Sequence, residues 1–122
     1  MVKKKDFIDI LDEISVFFTK EKVFSTFIII KKFNEKGKYL NFYGKGFSIS
    51  MDMPIDSKFL KTKRFFNNLF TKYKIKINFS KDSICDKKIA ESHGEYVKFK
   101  KNLNLINRNR KLNSLFSNRL KI

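Results

Sequence analysis

Tryptophan is absent, and cysteine, histidine and proline each occur once. With Cys85 alone, no internal disulfide can form and no cysteine-based metal site exists, so a small semi-buried residue is expected there. His93 has no second histidine or cysteine with which to share a metal, and no Ser-His-Asp pattern surrounds it. A structural or exposed role is expected. The four glycines form no phosphate-cradling loop. Long apolar runs are missing too: the longest, Phe27 to Ile30, falls far short of the roughly 20 residues that span a bilayer. The basic start Met1-Val2-Lys3-Lys4-Lys5 runs into Asp6, Asp9, Asp12 and Glu13, whereas a signal peptide needs an uninterrupted apolar stretch. The expected location is the cytoplasm, with peripheral contact to a membrane as the alternative.

Acidic residues are also scarce, 12 against 28 lysines and arginines, and the net charge is +16. Such a charge suits a polyanion: RNA, DNA or an acidic membrane surface. A second cause competes with it. Lys, Asn, Ile and Phe make up about half of the chain, and all four are favoured by A/T-rich codons. The lysines are scattered from Lys3 to Lys121 with no stripe, which fits codon bias better than a dedicated binding patch.

A chain of 122 residues allows one domain, and 42% hydrophobic residues with 15 phenylalanines allow a core. Residues 6–19 predict a helix: Phe7, Ile10, Leu11, Ile14, Phe17 and Phe18 recur at helical spacing, and Asp6 is the expected cap. Val23 to Phe33 predicts a strand, and Asn34-Glu35-Lys36-Gly37-Lys38 a turn. Phe47, Ile49, Met51 and Met53 alternate with Ser48, Ser50 and Asp52 in a second strand that Pro54 ends. Lys58 to Tyr73 predicts a helix, Lys74 to Phe79 a third strand, and Asp86 to Lys101 a helix weakened by Gly94. Leu112 to Leu120 closes the chain as a short helix. The expected order is α-β-β-α-β-α-α. It describes an α+β domain: a small antiparallel sheet with helices packed on one face.

Such a sheet leaves its other face to solvent, a ligand or a second domain. Ser48, Ser50 and Asp52 form one polar strand face, and Asn78 and Ser80 lead into Lys81 on another. By themselves these read as solvated positions. No nucleophile–base pair or metal set accompanies them.

The blocks Phe47-Ser48-Ile49-Ser50-Met51-Asp52-Met53-Pro54, Lys81-Asp82-Ser83 and Ser114 through Arg119-Leu120 occur in a telling order. With the helix before the first strand and the run Phe27 to Phe33, they resemble the C-terminal cap, or substrate, domain of FAD-linked sugar oxidases. These belong to the vanillyl-alcohol-oxidase-like flavoproteins, and the pattern is similar to that of the decaprenylphosphoryl-β-D-ribose oxidases. The resemblance runs from about Lys5 to the end of the chain. It implies an oxidoreductase that converts a secondary alcohol of a sugar to a ketone by hydride transfer to FAD. It implies that Lys81 is the catalytic cation, reaching both flavin and sugar, with Asp82 and Ser83 fixing its turn. It implies substrate contacts from Lys31, Ser48, Ser50 and Asn78, with Ser50 also facing the flavin. The family's best-known members carry Asn and Cys where Ser48 and Ser50 stand, and Tyr where Asn78 stands. Their Asp-Pro before the last helix is replaced by Asn107-Arg108, and the acidic residue near Leu115 is missing.

The family's FAD-binding domain lies N-terminal to the cap, and nothing in residues 1–122 resembles it. The expectation is therefore a cap that works only with a separately supplied FAD-binding domain, on a sugar or lipid-linked sugar. Two other classes stand beside it. One is a basic RNA-binding module, for which Tyr39, Phe42 and Tyr43 near Lys38 and Lys45 are the candidate stacking patch. The other is a non-catalytic remnant acting only as a partner domain.

Overall fold

The computed structural model describes residues 1–34, 44–78, 84–109, 111 and 113–120. A single 3-10 turn, Lys4–Asp6, opens into helix α1, Phe7–Glu21. Strand β1, Phe27–Phe33, pairs antiparallel with β2, Gly46–Asp52. Helix α2 spans Phe59–Lys72, and α3 (Lys87–Glu91), α4 (Tyr96–Ile106) and α5 (Leu115–Leu120) complete an α+β fold.

The helices form where apolar side chains recur every three or four residues, and they bury that stripe. Ile10 and Ile14 of α1 meet Phe66 and Leu69 of α2 in the main core, and Ile49 and Met51 of β2, with Met53 just beyond it, pack on it. Phe17 stacks on Phe65 with ring centroids 4.0 Å apart, and Phe7 on Phe47 at 4.2 Å. The alternation of β2 is thus realised: its odd residues face α1 and α2, and Ser50 and Asp52 are exposed. A second cluster, Ile77, Cys85, Ile89, Ala90 and Tyr96, holds α3 and α4 to the body, and Phe70 touches both clusters.

Four expectations are corrected. Residues 75–78 do not pair as a third strand. They run extended beside Met1, whose carbonyl accepts a bond from the Lys76 N–H at 3.2 Å and whose amino group donates to the Lys76 carbonyl. Val2 in turn exchanges bonds of 2.7 and 2.9 Å with Phe47 of β2. The start of the chain therefore fills the place beside β2 that Ile75 to Asn78 would take, and buried Val2 seals it. The predicted helix from Asp86 to Lys101 is two helices. At the break the Ser92 hydroxyl bonds back to the Ile89 carbonyl at 2.7 Å, and His93 and Gly94 propagate a helix poorly. Asp6 precedes α1 but makes no side-chain cap bond, because the 3-10 turn already occupies that end. The first strand also starts later than expected: Val23 is buried as part of the stop of α1, and pairing begins at Phe27.

Candidate functional site

The sheet has two unlike faces. In an antiparallel pair, residues directly opposite share a face. Met51, Ile49 and Phe47 stand opposite Ile28, Ile30 and Lys32, and this side is turned to the helices. Asp52, Ser50, Ser48 and Gly46 stand opposite Phe27, Ile29, Lys31 and Phe33 on the outer side. Lys31 is therefore the direct neighbour of Ser48, and Ser50 follows one step along the same face. Lys31 and Ser50 are exposed and Ser48 is half-buried.

Asn78 reaches this side by a different route. Ile77 is buried and Lys76 exposed, so the alternation of the extended segment turns Asn78 outward, where it is half-buried. Met1 and Val2 lie between that segment and β2. Of the four expected substrate contacts, Lys31, Ser48 and Ser50 are thus brought together, and Asn78 shares their side with a strand-width of chain between. Lys81, Asp82 and Ser83, together with Ser80, lie outside the described residues, as do Lys38, Tyr39, Phe42 and Tyr43 of the expected stacking patch. Lys45 is exposed. Cys85 is fully buried rather than semi-buried, its thiol 3.2 Å from the Asp86 carbonyl oxygen, and His93 is half-buried.

Asn67 was not singled out by its sequence, yet it is the most connected buried polar side chain described. Its amide nitrogen donates to the Lys63 carbonyl at 2.8 Å and to the Ile84 carbonyl at 3.0 Å, and its oxygen accepts from the Asp86 N–H at 3.1 Å. The Lys63 ammonium adds a 2.7 Å ion pair to Asp86. These bonds fasten the chain that follows Lys81 to the buried side of α2. The signal was present: an asparagine on the stripe of Phe66 and Leu69 must find partners when it is buried.

Chemically, the outer face offers one ammonium, two hydroxyls and, next to Ser50, the exposed Asp52 carboxylate, a mixed set of donors and an acceptor suited to hydroxyl-rich ligands. Among the described residues no group of His, Cys, Asp and Glu could hold a metal ion, and no helix is long and apolar enough to cross a membrane. No protein-family profile, curated protein or solved structure matches the chain.

Proposed function

We propose that this chain is the C-terminal cap domain of an FAD-linked oxidase that oxidises a secondary alcohol of a sugar or lipid-linked sugar. One observation carries the reading: Lys31, Ser48 and Ser50, assigned to the substrate by the resemblance alone, share the sheet face turned away from the helices. An ammonium beside two hydroxyls can grip vicinal sugar hydroxyls and fix which carbon is presented.

The donor set also fits the carbonyl edge of a flavin, for which Ser50 and Lys81 are the residues this chain would offer. The described residues contain no glycine-rich cradle for a diphosphate, so FAD would be held chiefly by a separate domain closing over the face. When bound, FAD supplies the two-electron acceptor. Lys81 supplies a fixed positive charge, worth far more in a site from which water is excluded than in bulk solvent. Lys31 and Ser48 orient the sugar, and Asn78 lines its far side.

The test combines the chain with an FAD-loaded FAD-binding domain of this oxidase group under anaerobic conditions and follows bleaching of the flavin by candidate aldoses. Bleaching should require both parts. Lys81→Ala should slow it by roughly 10²–10³-fold, the usual cost of removing one preorganised electrostatic donor. Lys31→Ala should mainly raise KM. An unchanged rate in Lys81→Ala, or no bleaching with any aldose, overturns the assignment.

A second reading draws on the same face. Phe27, 53% exposed, and half-buried Phe33 share this face with Lys31, Ile29 standing between Phe27 and the lysine, and exposed aromatics beside a cation suit stacked single-stranded bases. It predicts binding of oligouridylate that weakens steeply with salt. No binding at low salt removes it.

A further inference from the structure

Strand β1 is apolar on both sides and fully covered on neither. Phe27 is 53% exposed on the outer face, and Ile28 and Ile30 are 49% and 48% exposed on the helix-facing one. The helices pack beneath β2, so β1 overhangs them: Ile49 and Met51 join the core, while their partners Ile30 and Ile28 do not. Among the described residues no strand pairs with the outer edge of β1. An edge of this kind is normally blunted by charged side chains, proline, a bulge or a covering element. Here the only charges are Lys31 and Lys32, which project to opposite faces at one end.

We infer that the edge of β1 is a docking site for an added β-strand from an acidic protein partner. That strand would set an apolar run against Phe27 to Ile30 and acidic residues against Lys31 and Lys32. Backbone amides and carbonyls of β1 would give the affinity, and the side chains on the two faces the register. Charge selects the occupant. A second copy brings another +16, and self-repulsion of that size opposes pairing of two identical edges. A partner with carboxylates beside Lys31 and Lys32 is attracted by the same field. The inference does not depend on the oxidoreductase reading, and its test contains neither flavin nor sugar.

The probe is a short synthetic peptide in which two glutamates precede a valine–threonine run. Alternate peptide nitrogens are methylated so that one edge cannot self-associate. The control peptide has lysines in place of the glutamates. Binding and amide hydrogen exchange are measured on the whole chain. The expected result is slowed exchange at alternate residues of β1 and a roughly three- to tenfold preference for the glutamate peptide. The double variant Lys31→Glu with Lys32→Glu, which alters only exposed side chains, should reverse the preference. Equal affinity for both peptides, binding without protection of β1, or equal binding of polyglutamate with no apolar run overturns the inference. So does protection, in the chain alone, of the β1 amides that point away from β2, which would mark a self-associating edge, or their protection by oligouridylate in place of the peptide.

Discussion

Lys22 and Lys74 have φ of 51° and 49°, in the left-handed region where a side chain costs roughly 1–2 kcal/mol. Lys22 sits one residue beyond α1 and Lys74 two beyond α2, and they do the same work. Lys22 donates to Thr19 at 3.4 Å and Val23 to Phe18 at 3.0 Å. Lys74 donates to Thr71 at 3.3 Å and Ile75 to Phe70 at 2.9 Å. Each is a paired closing bond that satisfies the last carbonyls of its helix, followed by an apolar residue turned into the core. Glycine is the usual occupant of such a position, and its absence hid both helix ends from the sequence. Lys22→Gly and Lys74→Gly should each raise stability by roughly 0.5–1 kcal/mol, after glycine's greater loss of freedom on folding is set against the relieved strain. Urea unfolding would measure it, and a loss in both variants would show that the lysine side chains matter more than their backbone angle. Tyr96 makes a companion case. It is 3% exposed and its hydroxyl has no partner among the described residues, so burial pushes its pKa up. Tyr96→Phe should be neutral or stabilising by up to about 1 kcal/mol, because it removes a desolvated group rather than a bond.

Between elements, two close approaches hold the first residues to β2 and residues 84–86 to α2. At Gly46 a side chain would overlap the Val2 carbonyl oxygen, and φ there is 156°. Gly46→Ala should therefore part the first residues from β2 and expose Val2, with faster amide exchange at Phe47 as the direct readout. Asn67→Ala would strip partners from the Ile84 carbonyl and the Asp86 N–H and should cost roughly 1–3 kcal/mol. Both contacts also show where the sequence stopped being legible. Helices α1 and α2 and strand β2 were readable because their apolar periods are long and regular. The side on which Ser48 and Ser50 lie followed from alternation, whereas that of Lys31, in the unalternating run Phe27–Phe33, came only with the register of the pair. The pairing of Ile75 to Asn78 with Met1 was not legible, because period-2 alternation says that a segment is extended and not which neighbour accepts its bonds. Asn67 escaped notice because its partners are backbone groups far along the chain, which no local pattern marks.

At the scale of the whole molecule, +16 on 122 residues sets charge repulsion against a small core. Among the described residues, ion pairs partly offset it. One joins α1 to the end of α2: Glu13 accepts from Lys72 at 2.8 Å and from the Tyr73 hydroxyl. The bond from Lys72, then that from Tyr73, hold the Glu13 carboxyl below its ordinary value near 4.5. The same contacts raise Lys72 and Tyr73. A carboxyl depressed in the folded state favours folding above its unfolded pKa, and this support is lost as pH falls through the folded value. A phenol and an ammonium raised in the folded state lose their contributions as pH rises, the phenol from about its unfolded value near 10.0 and the ammonium through its folded value. Stability should therefore fall at both ends of the range. The acid side should fall further, since every carboxylate protonated there adds to the net charge. Partial exposure of the pair keeps its own share small, so the general repulsion should dominate near neutral pH. Raising sodium chloride from about 0.05 to 0.5 M shortens the screening length to a few ångströms and should raise the melting temperature. Glu13→Gln should melt lower, yet gain nearly as much from salt as the parent. A melting temperature that falls with salt would mean that paired charges such as Glu13 and Lys72 outweigh the repulsion of the rest.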